Sequence, residues 1–353
     1  MDLKNKRKWR IIKDYAIGWT LAFIFLAIVR GIGTTEAGYL KFDFFSSLII
    51  ATTIGPILGS ISGYAQLVTE ERVYKRMSIQ RLLILRFTFV LLFLGLLILV
   101  AYIVYQLYFG TDIGLVPFAL DKGSSAIYFY VLSVDIFMLI LRQVNLMLGE
   151  KNLSKLLTGK FYTPREEERI FMFLDLQSST QLAEKLGHIR YSMLIQDCFN
   201  DLGVVAENEA EIYQYVGDEV ILTWGQEDGI KHQNCIHAFF NFKQQLIKKG
   251  TYYQQKYNCQ PFFKAGMNAG TVTVTEVGKY KKEIAYHGDT INTAARIQGK
   301  CNDFGKEILI SEFLKNKLDL RGFQIEKLGN IPLKGKTKEV PVYAVSREKS
   351  FQN

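Results

Sequence analysis

The sequence predicts a two-part protein: an all-α bundle of four membrane-spanning helices, followed by an α/β domain. Residues 14–148 of the 353-residue chain are dominated by Leu, Ile, Phe, Val, Ala and Gly, whereas residues 149–353 mix charged and apolar positions. The first half contains four apolar segments long enough to cross a bilayer, which takes about 20 residues. The second half alternates strand-like and helix-like hydrophobic patterns, which is typical of a layered α/β unit.

These patterns divide the chain into five parts. We assign residues 1–12 to a basic amino-terminal segment, 13–148 to the four-span domain, 149–167 to a linker, 168–346 to the α/β domain and 347–353 to a tail. The four spans are expected near residues 13–30, 44–68, 82–108 and 126–148.

The distribution of charge predicts how the spans are oriented. Six basic residues lie within the first thirteen: Lys4, Lys6, Arg7, Lys8, Arg10 and Lys13. The loop between the second and third spans is also basic, with Arg72, Lys75, Arg76 and Arg81, while the first and third loops are slightly acidic. Because Lys and Arg accumulate in cytoplasmic loops, we expect a multi-pass protein of the cell (inner) membrane with both termini in the cytoplasm. No platform of aromatic and basic residues accompanies the charge, so nucleic acid is not an expected partner.

Two features of the spans stand out. Gly55, Gly59 and Gly63 form a repeated small-xxx-small pattern in the second span, which predicts close packing against another helix. Asp135 lies near the middle of the fourth span, where a carboxylate is costly unless it is paired or hydrated. A sensing or coupling role and a structural role as a buried hydrogen-bond partner both remain open for this residue.

The second half is predicted element by element. Strands are expected at 170–174, 211–216, 219–224, 262–275, 307–310, 323–331 and 341–345. Helices are expected at 180–205 and 229–257. A third helix is expected to end near Lys300, with Asp289 or Thr290 as its amino-terminal cap. Ser178 and Gln181 have the spacing of a capping box at the start of the first of these helices. Gly217-Asp218 is typical of a two-residue hairpin turn.

Asp175 and Asp218 are the candidate metal ligands. Asp175 follows an apolar strand, and Asp218 lies in the predicted hairpin turn, so a neighbouring strand pair can bring the two carboxylates together. Two carboxylates at one place repel unless cations lie between them, and all-oxygen ligands suit Mg²⁺ or Mn²⁺. Two such ions can activate a hydroxyl and hold a triphosphate. Alternatively, each aspartate is only a turn or cap residue.

Further polar residues suit phosphate chemistry. Asn292 and Arg296 are four residues apart and share one helix face, where an arginine can stabilise charge on a transition state. Lys334 lies in a late loop and can neutralise phosphates, although an exposed basic loop is an equally good interpretation. Ser179 and Thr180 begin a helix whose exposed amides can bind an anion.

Between residues 168 and 345 the chain resembles the class III nucleotidyl cyclases, the adenylate and guanylate cyclase family. The segments that carry this resemblance are Phe171–Thr180, Tyr213–Trp224, Gly288–Arg296 and Leu333–Val345. It implies a ferredoxin-like core that forms a head-to-tail homodimer, with two-metal nucleotide sites at the subunit interface. Asp175 and Asp218 match the metal aspartates of the family. Asn292 and Arg296 match its ribose-positioning and transition-state residues, which reach the site from the other subunit, and Lys334 matches its triphosphate lysine.

The residues that match the base-selecting positions depart from the family pattern. Gln214 stands where most adenylate cyclases have Lys, and Ala285 stands where they have Asp or Thr. Guanylate cyclases have Glu and Cys there, and a Gln side chain can read either purine because it both donates and accepts hydrogen bonds. We expect an adenylate cyclase that converts ATP to cyclic AMP and pyrophosphate. The alternatives are a guanylate cyclase, a catalytically silent membrane receptor and a diguanylate cyclase. The last is considered because residues 216–220 superficially resemble the GGDEF motif of diguanylate cyclases.

Overall fold

The computed structural model describes residues 3–32, 43–72, 79–110, 112–149, 155–156, 158–332 and 339–347. It divides into two compact units, Met1–Met147 and Leu148–Asn353. Several residues with expected roles lie outside the described part of the chain, namely Lys334 in the late loop and Lys75 and Arg76 in the second loop.

The first unit is helical. Its helices are α1 (Leu3–Gly31), α2 (Phe44–Arg72), α3 (Ile79–Phe109), the short α4 (Leu115–Ala119) and α5 (Lys122–Leu148). Within the described residues, four helices contain stretches long and apolar enough to span a membrane: Lys8–Gly31, Ser47–Glu70, Phe87–Leu107 and Ala126–Leu148. The prediction of four long apolar helices is therefore confirmed, while α4 was not foreseen.

The glycine pattern of α2 lies against α1. A Cβ atom built on Gly59 would lie 2.6 Å from the Cα of Ala16, and one on Gly55 would lie 2.8 Å from the Cα of Thr20. Only residues without a side chain permit such an approach, so the predicted packing face is confirmed.

Polar groups also lie inside this unit. Glu70 on α2 accepts hydrogen bonds of 2.7 and 2.8 Å from Arg142 on α5, and one of 2.9 Å from Gln66. Asp135 is only 2% exposed, as either interpretation of this residue requires.

The second unit alternates strands and helices. In chain order it contains β1 (Arg165–Leu176), α6 (Ser179–Asp201), β2 (Glu211–Val216), β3 (Glu219–Gly225), α7 (Gln226–Ile230), α8 (Asn234–Lys248), α9 (Gly250–Tyr257), β4 (Phe263–Val277), β5 (Glu283–His287), α10 (Asp289–Gly299), β6 (Ile308–Ser311), α11 (Glu312–Lys317), β7 (Phe323–Ile331) and β8 (Val340–Arg347).

One sheet joins these strands in the order β2-β3-β1-β4-β6-β8-β7, with β5 paired to β4. The β4–β6 pair is parallel and the other pairs are antiparallel. Within it, β1, β2, β3 and β4 take the spatial order 2-3-1-4, which is the ferredoxin-like arrangement. The predicted fold class is therefore confirmed.

Alternate residues of β1 face two different layers. Ile170, Met172, Leu174 and Leu176 belong to a large core with side chains of α6, α8 and α9, and we call this side the core face. Phe171 and Phe173 point the other way and pack with Ala294 of α10, so we call this side the α10 face. The period-two alternation of a strand separates the two sides.

Several predicted details are wrong. Ser178 has a positive φ of 58° and its side chain caps no helix, so the capping box with Gln181 is absent. Gly288, rather than Asp289 or Thr290, precedes the first turn of α10. The Thr290 hydroxyl instead donates a 2.8 Å hydrogen bond to the Thr271 carbonyl, because β4 offers that acceptor at the helix start.

The helices are also more broken than their hydrophobic patterns predicted. The expected helix 229–257 is divided into α7, α8 and α9, with a 3₁₀ turn at Lys231–Gln233 between the first two. Within α6, Gly187 has φ 71° and ψ 162°, which interrupts the helix there. The strand β5 was missed because its sequence is short and flanked by charged residues.

Candidate functional site

Three carboxylates interact electrostatically at one end of the α10 face. Asp175 is near the end of β1 and, as an odd-numbered residue of that strand, follows Phe171 and Phe173 on this face. Glu219 pairs directly with Asp175 in the antiparallel β1–β3 register, and opposed residues of such a pair point to the same face. Asp218 precedes Glu219 in the turn that Gly217 makes with a φ of 63°.

The cluster is electrostatically strained. Burial and the neighbouring Asp218 charge raise the pKa of Asp175. Burial, followed by the charges of Asp175 and Asp218, raises the pKa of Glu219 to about 7. Like charges placed opposite one another in a sheet are destabilising, so this end of the α10 face favours a bound cation. The sequence alone did not identify Glu219, although the strand pairing of Phe171–Asp175 with Glu219–Thr223 would have placed it there.

The side chains present fit a hard divalent cation. Asp175, Asp218 and Glu219 offer carboxylate oxygens, which suit Mg²⁺ or Mn²⁺ rather than zinc or copper. In the described part of the chain, no three His, Cys, Asp or Glu side chains converge on one position. Asp175 and Asp218 would therefore supply the protein ligands, and water or substrate oxygens would complete the coordination.

Tyr191 supports one of these aspartates. Its hydroxyl interacts with the side chains of Asp218 and Ser179, and both neighbours affect its pKa. Burial and then the Asp218 charge raise the pKa of Tyr191 to about 12, so the phenol remains a donor at neutral pH. In an unbroken helix, residues 179 and 191 would be about 18 Å apart. The interruption at Gly187 is what lets Tyr191 return to the helix start, and sequence reasoning missed it.

Gln298 supports the other aspartate. Its side-chain amide, near the end of α10, interacts with the Asp175 carboxylate, which lowers the pKa of Asp175 and so opposes the effect of burial. Sequence reasoning missed this residue too, because the interaction depends on how α10 lies across the sheet.

Asn292 and Arg296 lie on another side of the same helix. They are about 40° apart around the helix axis, whereas Arg296 and Gln298 are about 200° apart. Asn292 is exposed and Arg296 is half-buried. Within one protomer the structure therefore does not bring Arg296 to the carboxylate that Gln298 contacts.

The remaining candidate residues have varied positions. Ser179 is half-buried at the start of α6, and Thr180 beside it is exposed. Gln214 is exposed on β2, and Ala285 is half-buried on β5. Their chain neighbours Tyr213 and Tyr286 meet edge to face with ring centres 5.0 Å apart, so the two segments lie together. Lys334 is outside the described residues.

Comparison with known proteins matches this part of the chain to adenylate and guanylate cyclases. A family model for the adenylate and guanylate cyclase catalytic domain matches residues 161–347. The chain is 32% identical over 219 residues to "Adenylate cyclase 2" of Rhizobium meliloti (strain 1021), covering 62% of this chain and 60% of that protein. It is 25% identical over 187 residues to an adenylate cyclase of Anabaena cylindrica, covering 49% of this chain and 36% of the relative. The chain thus spans less than two thirds of the length of these relatives.

A solved structure shares the fold. A bacterial light-regulated adenylyl cyclase superposes with a TM-score of 0.55 at 17% sequence identity, over 64% of this chain and 67% of that one. At this identity the likeness concerns the fold alone.

Proposed function

The chain belongs to the adenylate and guanylate cyclase family, since the family model matches more than half of its residues, and on that premise we propose that it is a membrane-bound adenylate cyclase. The reaction converts ATP to 3′,5′-cyclic AMP and pyrophosphate. The observation that supports the proposal is the electrostatic interaction of Asp175, near the end of β1, with Asp218, in the turn between β2 and β3, within the part of the chain that the family model matches.

Each candidate residue has a defined task. Asp175 and Asp218 would hold two divalent cations, Mg²⁺ or Mn²⁺, and these ions would supply activation of the ribose 3′-hydroxyl and neutralisation of the triphosphate. Arg296 stabilises the negative charge that develops at the α-phosphate, and Asn292 orients the ribose. Lys334 neutralises the departing pyrophosphate. The amides of Ser179 and Thr180 at the start of α6 offer hydrogen bonds to phosphate oxygens.

The active unit is a homodimer with its sites at the subunit interface. Arg296 lies about 200° around α10 from Gln298, the residue that contacts Asp175 in the same protomer. A head-to-tail pair of catalytic domains brings Asn292 and Arg296 of one protomer to the aspartates of the other, which a single protomer does not achieve.

GTP is the second candidate substrate. The amide of Gln214 can donate and accept, so it can read adenine or guanine, and Ala285 offers no polar group. The substitution Gln214→Lys introduces the residue that most adenylate cyclases have at this position. It should raise the ratio of ATP to GTP turnover, and an unchanged ratio would count against a role for Gln214 in base selection.

The first unit anchors the enzyme. Its four apolar stretches suit a multi-pass protein of the cell (inner) membrane, with a basic cytoplasmic segment 1–12, a linker 149–167, a catalytic domain 168–346 and a tail 347–353. The lipid bilayer is therefore a partner of residues 13–148. Fusing a reporter that is active only in the cytoplasm to each terminus tests the orientation, and activity at one terminus alone would contradict it.

Product analysis tests the activity directly. The full chain, purified in detergent, is incubated with ATP or GTP and Mn²⁺, and the products are identified by mass spectrometry. Cyclic AMP with an equal amount of pyrophosphate supports the proposal, and an excess of cyclic GMP over cyclic AMP supports the guanylate cyclase alternative. Nucleotide binding without turnover would support a silent receptor and refute both. An Asp218→Asn protein is the control for contaminating activity.

A further inference from the structure

Helix α10 presents chemically useful side chains on two sides. Gln298 contacts Asp175 of its own protomer, while Arg296, two residues earlier, lies about 200° away around the helix. Two residues close together on one helix can therefore contribute side chains to two different sites.

The contact of Gln298 with the sheet is unusually close. A Cβ atom built on Gly266 of β4 would lie 2.0 Å from the backbone nitrogen of Gln298 and 2.4 Å from its Cα. Because no side chain fits there, glycine alone allows α10 to lie directly on β4 at this point. Gly266 pairs with Phe173 of β1, two residues before Asp175. The helix backbone is thus fixed beside the strand end that carries the carboxylate.

The other end of α10 is also attached to β4. Thr290 donates a 2.8 Å hydrogen bond to the Thr271 carbonyl and accepts one of 3.0 Å from the Asn268 side chain at its own carbonyl. Ser311 donates a 2.7 Å hydrogen bond to Asn268, which holds that amide in place. With both ends attached, α10 holds the Gln298 backbone at a fixed position beside the strand end that carries Asp175.

We propose that Gln298 is a positioning residue that orients the Asp175 carboxylate for cation binding in its own protomer. The mixed-dimer test below rests on the proposed function, which assigns Arg296 of the same helix to the partner's site. Groups that hydrogen-bond metal ligands hold them in orientation, and their loss typically lowers metal affinity or activity about 10–100-fold.

Cation binding without nucleotide tests the positioning. The substitution Gln298→Met keeps the length of the side chain and removes the donor. The matched control is Gln260→Met, because Gln260 is also half-buried, donates to a backbone carbonyl (Leu246, 3.1 Å) and lies against a glycine, Gly250, away from the acidic cluster. Mn²⁺ binding to the full chain in detergent is measured by electron paramagnetic resonance, with thermal unfolding in parallel.

The dissociation constant for Mn²⁺ should rise about 10-fold in Gln298→Met and stay unchanged in Gln260→Met, with similar melting temperatures. An unchanged constant in Gln298→Met, with wild-type binding intact, would overturn the positioning role alone. Absence of Mn²⁺ binding in the wild type would instead refute the cation site on which the proposed function depends, and the positioning role with it.

Mixed dimers test the division between the two sites. Co-expression of an Asp175→Ala chain with an Arg296→Ala chain leaves one complete site, formed by Asp175 of the second chain and Arg296 of the first. Adding Gln298→Met to the Arg296→Ala chain should raise the Mn²⁺ concentration for half-maximal rate about 10-fold. Adding it to the Asp175→Ala chain should change nothing, because the carboxylate it would orient is already absent.

Equal effects in the two mixed dimers would overturn the assignment of Gln298 to its own protomer. A mixed dimer without activity, beside an active wild type, would show that Arg296 does not serve the partner's site. That outcome removes the division between sites and the interfacial part of the proposed function, while the Mn²⁺ binding experiment still decides whether Gln298 positions Asp175.

Discussion

The two faces of the central sheet differ although the same strand forms both. On the core face, Ile170, Met172, Leu174 and Leu176 are all at most 1% exposed and pack among apolar side chains. On the α10 face the same strand carries Phe171 and Phe173, followed by Asp175, which lies opposite Glu219. Apolar burial stabilises the first face, whereas gathered carboxylates destabilise the end of the second. A local conflict of this kind, kept within a well-packed fold, indicates a functional site.

The two faces also differ in how their surroundings change the pKa of a carboxylate. Near the core face, Asp197 of α6 accepts hydrogen bonds from Tyr252, Lys256 and Tyr257 at 2.6–2.8 Å. Burial raises the pKa of Asp197, but these hydrogen bonds outweigh burial, so the pKa is lower than usual. The pKa of Asp175 is raised, because burial and Asp218 outweigh the contact with Gln298. The protein therefore favours the charged form of Asp197 and disfavours the charged form of Asp175.

The largest effect is expected for Asp175→Asn. The shape of the side chain is preserved, but the proposed cation ligand and one repulsive charge are lost. Cyclase activity should fall to background, while the melting temperature of the metal-free protein should stay the same or rise. Activity and calorimetric unfolding measure the two effects. Retained activity would show that the carboxylate end of the α10 face is not the functional site.

The matched change on the core face is Met172→Ala, three residues earlier and fully buried. A buried Met→Ala change costs about 2–5 kcal/mol of unfolding free energy, from lost apolar contact and the cavity that remains. The folded fraction of the Met172→Ala protein should keep the wild-type dependence of the reaction rate on Mn²⁺ concentration. A Met172→Ala protein of wild-type stability but altered Mn²⁺ dependence would contradict the separation of roles.

Arg296→Ala should have the next largest effect. If Arg296 stabilises charge only in the transition state, its loss lowers kcat about 10²–10³-fold and changes KM little. Steady-state kinetics with ATP measure both constants. A rise in KM at constant kcat would instead indicate that Arg296 binds the ground-state nucleotide.

Tyr191→Phe should have a moderate effect, seen only in cation dependence. The hydroxyl that interacts with Asp218 is lost, so the Mn²⁺ concentration for half-maximal rate should rise about 10-fold. The matched control is Tyr252→Phe, which removes a 2.7 Å hydrogen bond to Asp197, outside the acidic cluster. Equal Mn²⁺ dependence in both proteins would show that Tyr191 has only a structural role.

The smallest effect concerns acid stability. Because the pKa of Asp197 is lower in the folded protein, its contribution is present above the unfolded pKa, about 3.9, and is lost as the pH falls through the folded value. Asp197→Asn should therefore lower the melting temperature at pH 7, and the gap to wild type should narrow below about pH 4. A gap that is constant from pH 7 to pH 3 would show that the carboxylate charge contributes nothing.

Much of the fold was predictable because its signals are local. Long apolar runs predict membrane-length helices, and the run before Asp175 and the Gly217-Asp218 turn predict a strand and a hairpin. Local signals failed where tertiary contacts override them. Ser178 had the right spacing for a capping box, but the chain takes a positive φ there. The pattern 229–257 looked like one helix, but it is broken where α7 and α8 turn over the core.

The sequence by itself determined the four apolar helices, the two aspartates and the family, because each depends on residues close together along the chain. Only the tertiary structure decided what surrounds the aspartates. The β1–β3 register placed Glu219 opposite Asp175, the interruption at Gly187 returned Tyr191 to Asp218, and the glycine contact on β4 brought Gln298 to Asp175. These contacts join residues distant in sequence, so they depend on strand register and helix packing, which no local pattern specifies.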